Sequence, residues 1–390
     1  MTHPDAVPAE GPDAGVAAHY GQPLPEARAL EAGRAVVDLS HLHVLSVSGD
    51  DRLAWLHTLT SQHVADLAPG TSTEILFLSA QGRIEHAAQL LEDGTTAWLI
   101  VEPKDDQASG VESLVAWLTQ MRFAHHVTLR RHHPAVAVVG ATAPVPGWED
   151  RTVWVDPWPH VSPGGAAYSG PDHPGEDYSW RQYLVTAADR DALFAGLGSG
   201  ELQGWRAAGT RASEALRIAA GRPRVALDAD ERTIPHELDL LRTAVHLEKG
   251  CYRGQETVAR VHNLGRPPRR LTGLLLDGSG HSFPERGAAV IVRPEPDTEQ
   301  TRAAARPIGV LTSIGQHPEA GHVGLALLKR SVPVDAELLV AEPRSAEAPS
   351  AEAAGARAET PRAWIAASQE VLVSPEAGAH VGRGGITRLR

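Results

Sequence analysis

Cysteine is the scarcest residue of this chain: Cys251 is the one thiol in 390 residues. No internal disulfide can form, and the composition suits a reducing cytoplasm. One thiolate cannot hold an iron–sulfur cluster by itself, since such clusters take several. It cannot supply the paired cysteines of a common structural zinc site either. Long apolar runs are also missing. No stretch nears the ~20 apolar residues that cross a bilayer, and residues 1–24 have neither the basic start nor the apolar centre of a secretion signal. Positive charge is short, with 36 Lys and Arg against 48 Asp and Glu and a net charge of −12. Such a surface repels phosphate backbones, so no direct nucleic-acid partner is expected. There is no Gly-x-x-x-x-Gly-Lys-Ser/Thr phosphate loop and no Gly-x-Ser-x-Gly nucleophile elbow. The glycines of residues 196–200 follow a predicted helix and read as its C-cap and turn. Histidines are plentiful at 20, those at 41 and 43 among them, but the adjacent pairs 125–126 and 132–133 fall on strand or loop, where neighbours point to opposite faces. They read as surface or strand-edge side chains, and no metal is expected.

What remains is a globular composition, 42% apolar and 22% charged. At this length it calls for two or three domains. Residues 1–25, rich in Pro, Ala, Gly and Asp, read as a disordered leader. A first α+β domain spans 26–133. Its strands are expected at 35–39, 43–47, 74–79, 84–91, 97–101 and 127–131, with helices at 51–61 and 111–121. A second domain spans 134–265, with strands at 135–139, 152–155 and 183–186 and helices at 189–197 and 205–220. A Pro- and Gly-dense loop, 157–175, lies between them. From 266 to 390 the pattern changes to short strands at 271–276, 288–292, 308–314, 323–328, 337–340 and 363–373, which suggest a small β-barrel. Residues 293–307 and 342–362 are rich in Ala, Glu, Pro and Arg with almost no other apolar side chains, and read as disordered insertions.

The most informative stretch is Lys249-Gly250-Cys251-Tyr252-Arg253-Gly254-Gln255-Glu256. Cations stand two residues either side of the thiol, and Gly250 and Gly254 give the backbone freedom and access. A helix is expected from Gln255. Its N-terminus, Lys249 and Arg253 would all favour the nucleophilic thiolate. Gln255 and Glu256 read as residues that cap and orient that helix.

This octapeptide resembles the signature of the YgfZ family, folate-binding proteins that support iron–sulfur enzymes. They are related to the T-protein (aminomethyltransferase) of the glycine cleavage system. Residues 215–221, 234–238 and 47–52 resemble further family segments in order. The resemblance implies a three-domain GcvT/YgfZ-like ring, α+β in class, with two mixed α/β domains and a C-terminal small β-barrel. It implies tetrahydrofolate or a folate derivative in the central hole and iron–sulfur client proteins as partners. Cys251 is then a nucleophile or transient cluster ligand supported by Lys249 and Arg253, with Tyr252 completing the signature. Arg217 falls on a T-protein Leu-Arg-x-x-x-Gly pattern and is expected to meet the folate tail or a pocket carboxylate. On the same register His86 stands where the T-protein has its essential carboxylate, and Gln182 falls nearest a second pterin-binding acid. Leu42 takes the place of a tryptophan that lines the folate pocket in some members. The implied role is a cytoplasmic, monomeric accessory factor for assembly or repair of cluster enzymes, tRNA-modifying ones included. The alternative is a tetrahydrofolate-dependent aminomethyl or one-carbon transferase.

Overall fold

The computed structural model describes residues 5–104, 109–170, 172–279, 283–342 and 363–378. The chain opens with two short paired strands, β1 (Val7–Pro8) and β2 (Ala17–His19), and the helix α1 (Pro23–Glu31). Proline suits the first turn of α1, where the N–H it lacks has no helical acceptor. Residues 5–25 are therefore folded, unlike the disordered leader their composition suggests. The buried Glu26 carboxylate holds them in place. It accepts from Tyr20 N at 2.8 Å, Gln22 N at 3.0 Å and Gly209 N at 3.0 Å, while Val16 and Ala18 are buried.

Next come β3 (Ala35–Asp38), β4 (His43–Ser48), α2 (Arg52–Leu59), β5 (Thr71–Leu78), β6 (Ile84–Glu92), β7 (Thr96–Val101), α3 (Ser109–Gln120) and β8 (Thr128–Arg131). The first sheet is antiparallel, in the order β5-β6-β7-β4-β8. Leu53, Trp55, Leu56 and Leu59 of α2, with Leu114 and Leu118 of α3, pack on its Leu45, Ile75 and Phe77. The apolar spacing of both helices anticipates those faces.

The strand β3 leaves this unit and joins a second sheet. That sheet is built with β9 (Val136–Ala141), β10 (Val153–Val155), β11 (Arg181–Thr186) and β12 (Arg206–Ala208), in the order β10-β11-β9-β3-β12. Residues 26–38 thus belong with the second sheet, so the partition does not follow a simple cut near residue 133. The helix expected over 205–220 is two elements. Its start is β12, parallel to β3, and only α5 (Thr210–Ala219), after α4 (Ala187–Gly196), is helical. Gly209 divides them, because a Cβ there would lie 2.2 Å from the Ala18 carbonyl oxygen.

The remainder comprises α6 (Val225–Asp228), α7 (Gln255–Leu264), β13 (Arg269–Leu276), β14 (Ala289–Val292), α8 (Glu299–Ala304), β15 (Gly309–His317), β16 (Gly321–Lys329), β17 (Leu338–Ala341) and β18 (Trp364–Val371). The last six strands close a barrel, β13-β16-β15-β14-β17-β18. Residues 293–307, expected to be disordered, include α8. Thr298 caps it by accepting from Thr301 N at 3.2 Å, and Ala and Glu have enough helix propensity to fill the turn without a core. The second expected insertion, apart from residue 342, lies outside the described residues. One apolar cluster joins the three units: Leu76 and Ile84 from the first sheet, Trp158 and Tyr168 from the loop, Tyr252 and Val258 near the cysteine, and Leu271 and Val323 from the barrel. Among the described residues no helix is long and apolar enough to cross a membrane.

Candidate functional site

Where the two sheets and α5 meet lies an open-mouthed cavity of about 110 Å³. Its apolar wall is Leu39, Leu42, Ile100 and Trp180. The indole of Trp180 lies over β9, where a Cβ at Gly140 would fall 2.5 Å from the ring.

The opposite wall is ionic and built from three arginines on and just after α5. Arg217 meets Glu214 at 2.5 Å and Asp228 at 3.1 Å, and donates to Ser313 Oγ of the barrel at 2.7 Å. Arg222 bridges Glu74 at 2.5 Å and Asp156 at 3.0 Å. Arg224 gathers Asp13 at 2.8 Å, Glu214 at 2.8 Å and Glu102 at 3.2 Å. The pairing offsets the cost of burying these charges. It does so unevenly. Burial, with Glu74 adding to it against the pull of Arg222, pushes Asp156 up to about 6. Burial also acts to raise Asp13 and Glu214, but their arginines outweigh it and hold both below the usual carboxylate range.

Arg217, His86 and Gln182, picked out in the sequence, all line this cavity. Arg217 does not stand ready for an anionic ligand tail. Its guanidinium is buried and already engaged by two carboxylates and a hydroxyl, so it organises the wall and ties it to the barrel. His86 is pushed down to about 4, by burial first and by the Lys104 ammonium second, so its imidazole is neutral at pH 7. Gln182 is 4% exposed, and its Oε1 has no hydrogen-bond partner. Sequence reasoning missed Arg222, Arg224, Glu74, Asp156, Gln89 and Asp13. The first two stand between α5 and α6, where the sequence predicts no element, and Asp13 comes from the supposed leader. No local pattern marks residues that meet across so much chain.

The cysteine segment lies apart from the cavity lining. Cys251 is exposed. Lys249 is turned inward, its ammonium donating to the carbonyls of His57 at 2.6 Å, Thr60 at 2.7 Å and Gln62 at 2.9 Å. Burial pushes it down to about 8. It also lies 5.2 Å over the ring of the buried Tyr252. Arg253 pairs with Glu85 at 2.7 Å. The cations expected to activate the thiol are thus spent docking the segment onto the first sheet unit. Gly254 serves the same end: its φ is +85°, and a Cβ would fall 2.5 Å from the Ser79 carbonyl oxygen. Gly250 has open space around it. The Gln255 amide reaches back to Lys249 O at 2.9 Å, which fastens the loop instead of capping α7. Glu256 is exposed in the first turn, where a negative charge suits the helix dipole. Among the described residues, no group of three or more His, Cys, Asp or Glu is placed to hold a metal ion.

No protein-family profile matches the chain. Over 329 residues it is 28% identical to a chloroplastic protein of Arabidopsis thaliana described as a candidate transferase, covering 77% of this chain and 67% of that one. Over 319 residues it is 26% identical to an aminomethyltransferase of Bordetella petrii, covering 78% and 83%. The structure of glycine cleavage system aminomethyltransferase T from Bartonella henselae matches with a TM-score of 0.68 at 17% identity, covering 94% of each chain. The chain therefore has the fold of the glycine-cleavage aminomethyltransferases, mixed α/β with a six-stranded C-terminal barrel, and its relatives in sequence are aminomethyltransferase-like.

Proposed function

We propose that the chain binds a tetrahydrofolate-type ligand in the central cavity and acts as an accessory factor for iron–sulfur cluster enzymes, without turning over an aminomethyl donor. The carrying observation is His86. The T-protein pattern has a carboxylate at this position, and here a neutral imidazole stands beside a lysine. A developing cationic aminomethyl group needs negative charge aimed at it, and this pair offers none. The rest of the cavity suits the ligand. Trp180 and Leu42 give a flat apolar wall, and the carboxamides of Gln89 and Gln182 have unmet hydrogen-bonding capacity. Cys251, exposed on the outside, is the group through which a cluster or client protein is met.

Calorimetric titration with tetrahydrofolate is expected to give saturable one-site binding. Incubation with an aminomethyl-loaded lipoyl carrier is expected to give no methylenetetrahydrofolate. Turnover in that assay would favour the second reading, a folate-dependent one-carbon transferase, which the aminomethyltransferases among the relatives support. For the accessory role, Cys251→Ser is expected to fold normally and to fail to restore cluster-enzyme activity in a strain lacking the protein. Full restoration would remove the thiol from the account.

A further inference from the structure

The cavity is small for the ligand it is proposed to hold. It measures about 110 Å³, whereas sites that enclose a molecule of folate size run to roughly 300–1,000 Å³. Part of the lining must therefore move. Most of that lining stands on the two sheets and α5, but Asp13 comes from residues 5–19. The strands of this segment, β1 and β2, pair with each other and with no other strand among the described residues. A lone two-stranded hairpin is marginal in water. Within the segment only Val16 and Ala18 are buried. The Glu26 carboxylate fastens the chain just after it, at Tyr20 and Gln22, so residues 5–19 can swing about a fixed base.

What holds the segment over the cavity is one carboxylate. Asp13 accepts from Arg224 at 2.8 Å. His41, also in the lining, stands on its other side, with Nε2 3.3 Å from Asp13 Oδ1. The alignment there makes no hydrogen bond, and both nitrogens of this buried ring are unpartnered. A buried imidazole left in that state is costly, and a carboxylate arriving on a longer arm could satisfy it together with the guanidinium. When Asp13 leaves, Arg224 keeps Glu214 at 2.8 Å and Glu102 at 3.2 Å. Exchanging one carboxylate for another also leaves the local charge unchanged, so no buried charge is stranded. We propose that Asp13 is a built-in occupant of an anion subsite formed by Arg224 and His41, and that a ligand carboxylate displaces it and swings residues 5–19 off the cavity. The inference rests on the folate reading above and adds which part of the protein yields and which end of the ligand moves it.

The test uses the full chain and three probes: tetrahydrofolate, p-aminobenzoylglutamate as the carboxylated tail alone, and 6-methyltetrahydropterin as the ring without a tail. Backbone hydrogen exchange over residues 5–19 is expected to speed up with the first two and to stay unchanged with the third. Asp13→Asn removes the competing carboxylate, so calorimetry is expected to show about tenfold tighter binding of both tail-bearing probes, the cost of a closed state populated some nine times in ten. Affinity for 6-methyltetrahydropterin should stay within about twofold. Adding His41→Leu is expected to remove the gain for the tail and again spare the ring. Tetrahydrofolate binding with residues 5–19 still protected, and no gain in Asp13→Asn, would overturn the inference while leaving folate binding intact. An equal gain for 6-methyltetrahydropterin would overturn it too, by making the segment a plug indifferent to the carboxylate. If neither wild type nor Asp13→Asn binds any probe, the folate reading falls and this inference with it.

Discussion

The central cavity and the cysteine segment show opposite relations between sequence and structure. The cysteine segment is one short run whose spacing invites a chemical reading, cations around a thiol. Folding spends those cations on architecture: Lys249 on three carbonyls and Arg253 on Glu85. The cavity leaves little local trace, yet it collects Asp13, Glu74, Asp156, Gln182 and the three arginines around one space. Proximity along the chain says which groups are neighbours, not which way they point. A buried ammonium follows whatever carbonyls its backbone turns toward it.

That contrast can be broken most severely at Arg222. Replacing it by alanine leaves Glu74 and Asp156 buried against each other without their shared cation, and stability is expected to fall by about 3–5 kcal/mol in chemical denaturation. A loss below about 1 kcal/mol would mean the wall is not ionic in the sense described. Lys249→Met should cost less, roughly 2–3 kcal/mol, since three carbonyls lose a charged donor while the apolar stem still packs. A neutral outcome would return Lys249 to the thiol.

A pH dependence separates the two regions further. His236, beneath α7, holds Val258 O at 3.1 Å, and burial pushes it down to about 3 against an ordinary 6.5. Because the folded value is the lower one, its contribution to stability is intact above pH 6.5 and is lost as pH falls toward 3. Wild type should therefore lose stability over that window more steeply than His236→Leu, and parallel curves would deny the burial of that ring. The smallest effect belongs to Cys251→Ser. An exposed thiol carries no packing, so stability should stay within about 0.5 kcal/mol of wild type and tetrahydrofolate affinity should not change.

Much of the fold was legible in the sequence. Alternating apolar runs gave the strands of the first sheet unit and the barrel within a few residues, and the family resemblance gave their assembly. The misses have physical causes. Residues 5–25 have the composition of a loose tail but are pinned by a single buried carboxylate, Glu26. Residues 206–208 lie in a run that reads as helix, yet β3 offers them an open parallel edge and Gly209 forces the break. In the site, Gln182 and His86 could be placed by resemblance. Arg217 could be placed too, with a pocket carboxylate as one of its two expected partners, but not which carboxylates, because Asp228 arrives from a stretch with no pattern of its own.

The most direct test of the account is a crystal structure grown with tetrahydrofolate. The account predicts the bicyclic ring against Trp180 and Cys251 outside its contacts. Ligand density elsewhere, or a ring held against Cys251, would contradict it.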